Sequence, residues 1–216
     1  MVIRKLVTLL VGCVLAAGLA RPAAAQLASR SAEEWIKTLE SPNRIAGLKI
    51  PETLAALKIK PGQIVADIGA GTGVFSFPFV QSVKPGGKVY AVDVEQGLLD
   101  HIAEKATEQG MSNYVHVVLG EFTDPGLPEN IDLAFINDVL HHIEDRPTYL
   151  KNLAGYLKPG GRIAVIDFRT NMGGHRNQPE LQTPQEQVTK WIADIGLKPL
   201  GELNIFEDKW FVIYGK

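Results

Sequence analysis

The sequence predicts an α/β fold in which helices cover both faces of a mostly parallel sheet. Three observations carry this prediction. Short and almost continuous apolar runs alternate with longer amphipathic segments, as expected for buried parallel strands joined by helices. Turns rich in glycine and proline separate the two kinds of segment. The last two strand-like runs are joined by a link too short for a crossover, so they form an antiparallel hairpin.

The predicted elements make a seven-stranded, three-layer domain preceded by two short helices. The strands are expected at residues 64–68, 89–93, 115–119, 131–136, 162–168, 197–205 and 210–214, with helices at 74–83, 98–109, 147–156 and 185–195. Ahead of them, Ser31 and Glu34 form a capping box for a helix that Pro42 ends, and Pro51 begins a second helix. We expect residues 26–62 to form a helical lid and residues 63–216 to form the main domain.

The composition excludes some classes of function. The 216 residues are 45% hydrophobic and 21% charged, which is typical of one globular domain with short additions. The formal net charge is −2, and without a basic excess we expect no nucleic-acid partner. Cys13 is the only cysteine, so neither an internal disulfide nor a cysteine metal cluster can form.

The N-terminus has the layout of a secretory signal peptide, predicted to comprise residues 1–25. Two basic residues precede an apolar run at 6–20, and an A-x-A cleavage site lies at 23–25. The run is shorter than the roughly 20 residues of a comfortable membrane span. We therefore expect export to the bacterial periplasm or beyond, with no stable membrane span after cleavage. An uncleaved anchor and lipidation at Cys13 remain alternatives.

A glycine-rich turn follows the first predicted strand and offers a nucleotide site. Asp67 precedes Gly69, Gly71 and Gly73, and parallel sheets bind ligands beyond the carboxyl ends of their strands. A dinucleotide fingerprint would need glycine where Val74 stands, and a phosphate-binding P-loop would need a lysine that this turn lacks. A carboxylate before the glycines disfavours a pyrophosphate and favours an ammonium group. The methionine portion of S-adenosylmethionine carries such a group.

Five segments, in this order, resemble those of the class I S-adenosylmethionine-dependent methyltransferases. They are Val65–Gly73, Val89–Asp93, Gly120–Phe122, Asp132–Asp138 and Leu157–Arg162. The resemblance covers residues 63–216. Within the family, these segments most resemble the small-molecule enzymes of the quinone-biosynthesis group. The resemblance implies a Rossmann-like fold with S-adenosylmethionine as cofactor.

The resemblance also implies a set of cofactor contacts. They come from Asp67, Gly69, Gly71, Gly73, Asp93, Val94, Glu121, Phe122 and Asn137. Asp93 would bind the ribose hydroxyls, Glu121 would accept from the adenine amine, and Phe122 would pack on the ring. Each has an ordinary alternative: the glycines can make a tight turn, Asp93 can cap a helix, Glu121 can be a solvated acid, and Asn137 can stabilise a turn.

Asp138, His141 and His142 are the candidate catalytic residues, because they follow the fourth strand where a methyl acceptor would lie. A histidine there could remove a proton from the attacking atom. Together with His175 these residues could also suggest a metal site. Adjacent residues on a helix point their side chains in different directions, so we expect no metal.

The predicted function is methyl transfer to a small-molecule acceptor that the sequence does not identify. Export raises a difficulty, because S-adenosylmethionine is made in the cytosol. An exported, non-catalytic nucleotide-binding module therefore remains an alternative. An NAD(P)-dependent oxidoreductase is a less favoured alternative, because it would use a similar fold and the spacing from Gly73 to Asp93 suits it. The sequence does not indicate the oligomeric state.

Overall fold

The computed structural model describes residues 30–173 and 175–216. The predicted signal peptide, residues 1–25, lies outside the described residues together with Cys13 and its possible lipidation. Both stay predictions, which N-terminal sequencing of the purified protein checks. Within the described part of the chain, every helix is too short or too polar to cross a membrane.

Seven strands and seven helices make up the described chain. The strands are β1 (Ile64–Ile68), β2 (Lys88–Asp93), β3 (Val115–Leu119), β4 (Ile131–Asn137), β5 (Leu157–Phe168), β6 (Lys198–Glu202) and β7 (Lys209–Gly215). The helices are α1 (Ala32–Leu39), α2 (Pro42–Gly47), α3 (Ile50–Leu57), α4 (Ser76–Val83), α5 (Gln96–Glu108), α6 (Arg146–Gly155) and α7 (Gln185–Asp194). Single 3-10 turns lie at Leu140–His142 and Pro179–Leu181.

The strands form one sheet in the order β3-β2-β1-β4-β5-β7-β6. The first five are parallel, and β7 runs antiparallel to both β5 and β6. The predicted Rossmann-like sheet with a C-terminal antiparallel hairpin is therefore confirmed. Chain order reverses between β1 and β4, and a ligand crevice is expected beyond the carboxyl ends at such a point.

A separate apolar core packs on each face of the sheet. On one face Phe135 of β4 contacts Phe75 and Phe79, with ring centroids 4.7 and 5.2 Å apart. The other face packs Leu150 of α6 and Trp210 of β7. Because both faces are covered, every residue of β1 is buried, which explains why its sequence is apolar at every position except Asp67.

Helix α2 was not predicted, and the expectation that Ser41 to Asn43 only ends α1 is wrong. Ser41 occupies the N-cap of α2 and Pro42 its first position. Proline has no backbone N–H, and the first turn of a helix needs no such donor. The same residues can therefore end one helix and begin the next.

Other boundaries also differ from the prediction. Helix α4 begins at Ser76 rather than at residue 74, which leaves Pro78 within the first turn, where proline is tolerated. Strand β5 begins at Leu157 and contains the predicted Pro-Gly-Gly turn as a shift of register against β4. Strand β6 ends at Glu202, three residues before the predicted end.

Candidate active site at the carboxyl ends of the strands

A cavity lies at the carboxyl ends of β1, β2 and β4, with residues of α1 and α2 in its wall. Its lining includes Trp35, Leu39, Arg44, Asp67, Gly69, Gly71, Asp93, Val94, Glu121, Phe122, Asn137, Asp138 and His142. The register pairs Ile68 of β1 with Val92 of β2 and with Ile136 of β4. The residues that follow these three therefore lie side by side.

The glycine turn has a left-handed backbone at each of its three glycines. Gly69 has φ +66° and Gly71 has φ +57°, and both line the cavity. Gly73 also has positive φ but is not among the lining residues. A Cβ there would lie 2.8 Å from the ring of Phe77, so Gly73 serves close packing rather than cavity shape.

Asp67 is a buried carboxylic acid in the cavity wall. Its side chain is 4% exposed, and its Oδ2 accepts a hydrogen bond of 2.6 Å from the Ser76 hydroxyl. Burial raises the pKa of Asp67 to about 7, although the Ser76 bond lowers it. The site therefore has a carboxyl group that holds a proton at mildly acidic pH and would be stabilised as a carboxylate by a cation.

Asp93 joins the end of β2 to the glycine turn. Its Oδ2 accepts from the backbone N–H of Gly71 at 2.9 Å, and its Oδ1 accepts from that of Glu95 at 3.1 Å. Burial raises the pKa of Asp93, and these backbone donors oppose the shift. The helix cap that follows is Glu95, which accepts from Gly97, so Asp93 is not the N-cap of α5.

Val94, Glu121 and Phe122 complete the β2–β3 side of the cavity. Phe122 is 46% exposed, which is unusual for so large an apolar side chain and leaves a ring face available at the rim. Glu121 is exposed next to it and its backbone pairs with Asp124.

The β4 side of the cavity is more polar and carries an ion pair. Asp138 has φ +56°, and its Oδ2 accepts from Lys209 Nζ at 2.7 Å, with both side chains largely buried. Arg44 faces the same carboxylate: burial lowers the pKa of Arg44 and the charge of Asp138 opposes this. Asn137 is buried, and its Oδ1 has no hydrogen-bond partner within the described residues.

The two adjacent histidines lie in the 3-10 turn after β4, and their rings differ in position. His142 lines the cavity, whereas His141 is buried behind it with Nδ1 2.7 Å from Asp167 Oδ1. Burial, with the nearby charges of His141 and His175, lowers the pKa of His142 to about 3, so it stays neutral and is a weak base. The two ring centroids are only 4.2 Å apart. We expected the two rings to point in different directions because we assumed an α-helix, whereas the chain makes a 3-10 turn here.

Several site residues were not identified from sequence. Trp35 and Leu39 of α1 and Arg44 of α2 enter the cavity wall, and no local pattern marks them. Asp167 could have been found, because it lies at the carboxyl end of β5 where this fold places functional groups. Lys209 comes from the C-terminal hairpin, far from Asp138 in sequence.

Comparison with known proteins agrees with the fold and the site. A family model described as a methyltransferase domain matches residues 59–200. The ubiquinone/menaquinone biosynthesis C-methyltransferase of Vibrio cholerae is 31% identical over 110 residues, which are 50% of this chain and 42% of that protein. This chain therefore matches less than half the length of that relative.

Two solved structures show how widely the fold is used. A SAM-dependent methyltransferase from Aquifex aeolicus superposes with a TM-score of 0.76 and 25% identity, covering 86% of this chain and 98% of the other. The [4+2]-cyclase SpnF shares the fold at a TM-score of 0.61 and 21% identity, covering 70% of this chain and 57% of the other. Since the family match spans most of the main domain, this chain belongs to the class I S-adenosylmethionine-dependent methyltransferases.

Proposed function

We propose that this protein transfers the methyl group of S-adenosylmethionine to a small apolar acceptor held beside the end of β4. The observation that carries the proposal is that two carboxyl groups, the buried Asp67 and the half-buried Asp93, line one cavity on either side of the glycine turn. The ligand that suits this pair has an ammonium group at one end and a diol at the other.

The β1–β2 half of the cavity fits the cofactor. Asp67 would hold the ammonium group, and each carboxylate oxygen of Asp93 keeps a lone pair for a ribose hydroxyl after accepting from the backbone. Glu121 and Phe122 would flank the adenine at the exposed rim. When bound, the cofactor supplies a methyl group on a positively charged sulfur, an electrophile that needs little further activation.

The β4 half fits the acceptor. Val139 and Ile143 give it apolar wall, and Trp35 of α1 closes it from the lid side. These residues would exclude water and hold the acceptor in line with the methyl group, so positioning provides most of the rate acceleration. The low pKa of His142 argues for a role in contact or orientation rather than in removing a proton.

Ligand binding tests the cofactor half first. Isothermal calorimetry should detect S-adenosylhomocysteine binding to the wild type and a loss of at least tenfold in affinity for Asp93→Ala, since the diol contacts disappear. Asp100→Ala is the matched control, because Asp100 lies on the same connection but pairs with Gln96 at the surface. Full-strength binding by Asp93→Ala contradicts the assignment.

Methyl transfer is then measured directly, because the cyclase SpnF shows that this fold does not imply that reaction. Labelled S-adenosylmethionine is offered with a panel of quinols, phenols and thiols, and methylated product is identified by mass spectrometry. Binding without product across the panel supports the non-catalytic module instead. A fluorescence change with reduced nicotinamide would favour the oxidoreductase, although Asp67 and Val74 disfavour that cofactor.

A further inference from the structure

Three histidines converge at the β4–β5 edge of the cavity. They are His141 and His142 of the 3-10 turn after β4, and His175 of the segment after β5. One ring nitrogen from each lies within 4.8 Å of the others. The ring centroids are 4.2, 4.8 and 5.3 Å apart in the three pairs. Three imidazoles gathered from two separate segments form a set of metal donors.

Hydrogen bonds orient two of these rings so that a nitrogen remains free. His141 Nδ1 lies 2.7 Å from Asp167 Oδ1, and His175 Nδ1 lies 2.6 Å from Gln178 Oε1. Both oxygens can only accept, so each Nδ1 carries a proton, and in the neutral imidazole the lone pair is then on Nε2. Such acceptors behind the ring are typical of metal-binding histidines.

Asp167 is held firmly enough to serve this role. It is fully buried and also accepts hydrogen bonds from the backbone N–H groups of His141 and Phe168, at 3.2 and 2.8 Å. The third ring has an unsatisfied polar atom: His142 Nδ1 is buried without a hydrogen-bond partner in the part of the chain that the structure describes. A buried ring nitrogen of this kind normally has a ligand.

We propose that His141, His142 and His175 bind a single Zn²⁺ ion whose fourth position faces the cavity. Imidazole donors suit Zn²⁺, and three protein ligands with one open position are the arrangement of catalytic rather than structural zinc. Of the three rings only His142 lines the cavity, so the fourth position would face the cavity from the side of His142. This conclusion replaces our expectation of no metal, which assumed an α-helix where the chain makes a 3-10 turn.

The present spacing requires a modest closure of the cluster. Zn–N bonds of about 2.0–2.1 Å in a tetrahedral site place the nitrogens roughly 3.3 Å apart, whereas the widest separation here is up to 4.8 Å. His175 lies in the long connection between β5 and α7, so it is the ring best placed to move toward the other two.

The ion deepens the proposed function and rests on it for its chemical role. An acceptor hydroxyl or thiol bound at the fourth position would lose its proton to solvent, because zinc lowers the pKa of such ligands. The resulting anion forms the new bond to the methyl carbon as the sulfur–carbon bond breaks, and the bonding pair stays on sulfur.

Zinc binding is measured on the full, untagged chain after chelator treatment, without cofactor or acceptor. Calorimetry should show one Zn²⁺ per chain, and Co²⁺ should give the visible absorption of a four-coordinate site. Asp167→Asn should weaken Zn²⁺ binding by about 10- to 100-fold and His175→Ala by at least as much. His101→Ala is the control, because His101 lies away from the cluster and contacts Glu40.

Two outcomes overturn the zinc proposal: no stoichiometric Zn²⁺ binding by the wild type, or wild-type affinity in His175→Ala. Circular dichroism confirms that each variant is folded. S-adenosylhomocysteine binding is measured in parallel on the metal-free protein. If the nucleotide binds and zinc does not, the metal site alone fails, and if zinc binds and the nucleotide does not, the proposed function fails.

Discussion

The raised pKa of Asp67 makes cofactor affinity depend on pH. The carboxyl group holds a proton below about pH 7 in the free protein, and burial is the main cause. A bound ammonium group favours the ionised form, so binding at lower pH must first release that proton. Because the pKa is raised in the free protein, affinity is highest above pH 7 and falls as the pH falls.

The size of the effect follows from the fraction of Asp67 that is ionised. With a pKa of about 7, the apparent dissociation constant is multiplied by about 2 at pH 7 and by about 33 at pH 5.5, roughly a fifteenfold loss of affinity between them. Calorimetry with S-adenosylhomocysteine at the two pH values measures this ratio, and a melting curve at pH 5.5 verifies that the protein remains folded.

Two controls isolate the contribution of Asp67. The variant Asp67→Asn has no carboxyl group to titrate, so it should bind more weakly at pH 7 but lose little further affinity at pH 5.5. Adenosine lacks the methionine portion, so its binding to the wild type should not follow the same slope. The reasoning is refuted if Asp67→Asn keeps the full pH dependence, or if adenosine shows it too.

Three further predictions concern stability and are read by urea unfolding or hydrogen exchange. Gly69→Ala should lower the free energy of unfolding by more than the ~1–2 kcal/mol of left-handed backbone strain, because its Cβ would lie 2.3 Å from Val139. Gly110→Ala is the control, since Gly110 has φ +64° in open space and should show the strain alone. Equal losses of stability in the two variants would contradict this prediction. Ser31→Ala removes the capping box of α1 and should cost about 1 kcal/mol, visible as faster amide exchange in that helix and refuted by unchanged protection. Phe135→Ala should cost ~3–5 kcal/mol, since its ring is fully buried, and a loss below ~1 kcal/mol would contradict the packing.

The sheet was predictable because its signals are local. The central parallel strands are buried on both faces, and that burial leaves a short and almost continuous apolar run in the sequence, as in residues 64–68. Helix ends were harder. Pro42 is compatible with both a stop and a start, and only packing decided that α2 forms. The Pro-Gly-Gly segment reads as a turn, yet pairing with β4 draws it into β5.

The residues of the cavity also differ in how far local sequence predicts them. Asp67, Gly69 and Asp93 were predicted to line one site because they lie at the carboxyl ends of β1 and β2, and the register places Gly69 beside Asp93. Gly73 was assigned to the cofactor by pattern, but its backbone is shaped by contact with α4. Arg44 reaches the cavity only because the N-terminal helices fold over the sheet, and no periodicity in residues 26–62 encodes that contact.

We expect the two halves of the site to respond differently to substitution. The cofactor half is built by one turn and the ends of β1 and β2, so changing Asp67 or Asp93 alters one bound ligand. The proposed acceptor half combines the N-terminal helices, the end of β4, the end of β5 and the β7 hairpin, joined by contacts such as Lys209 to Asp138. A change in any of those segments repositions the others through a shared buried charge. We therefore expect acceptor choice to change readily among relatives that keep the same cofactor contacts.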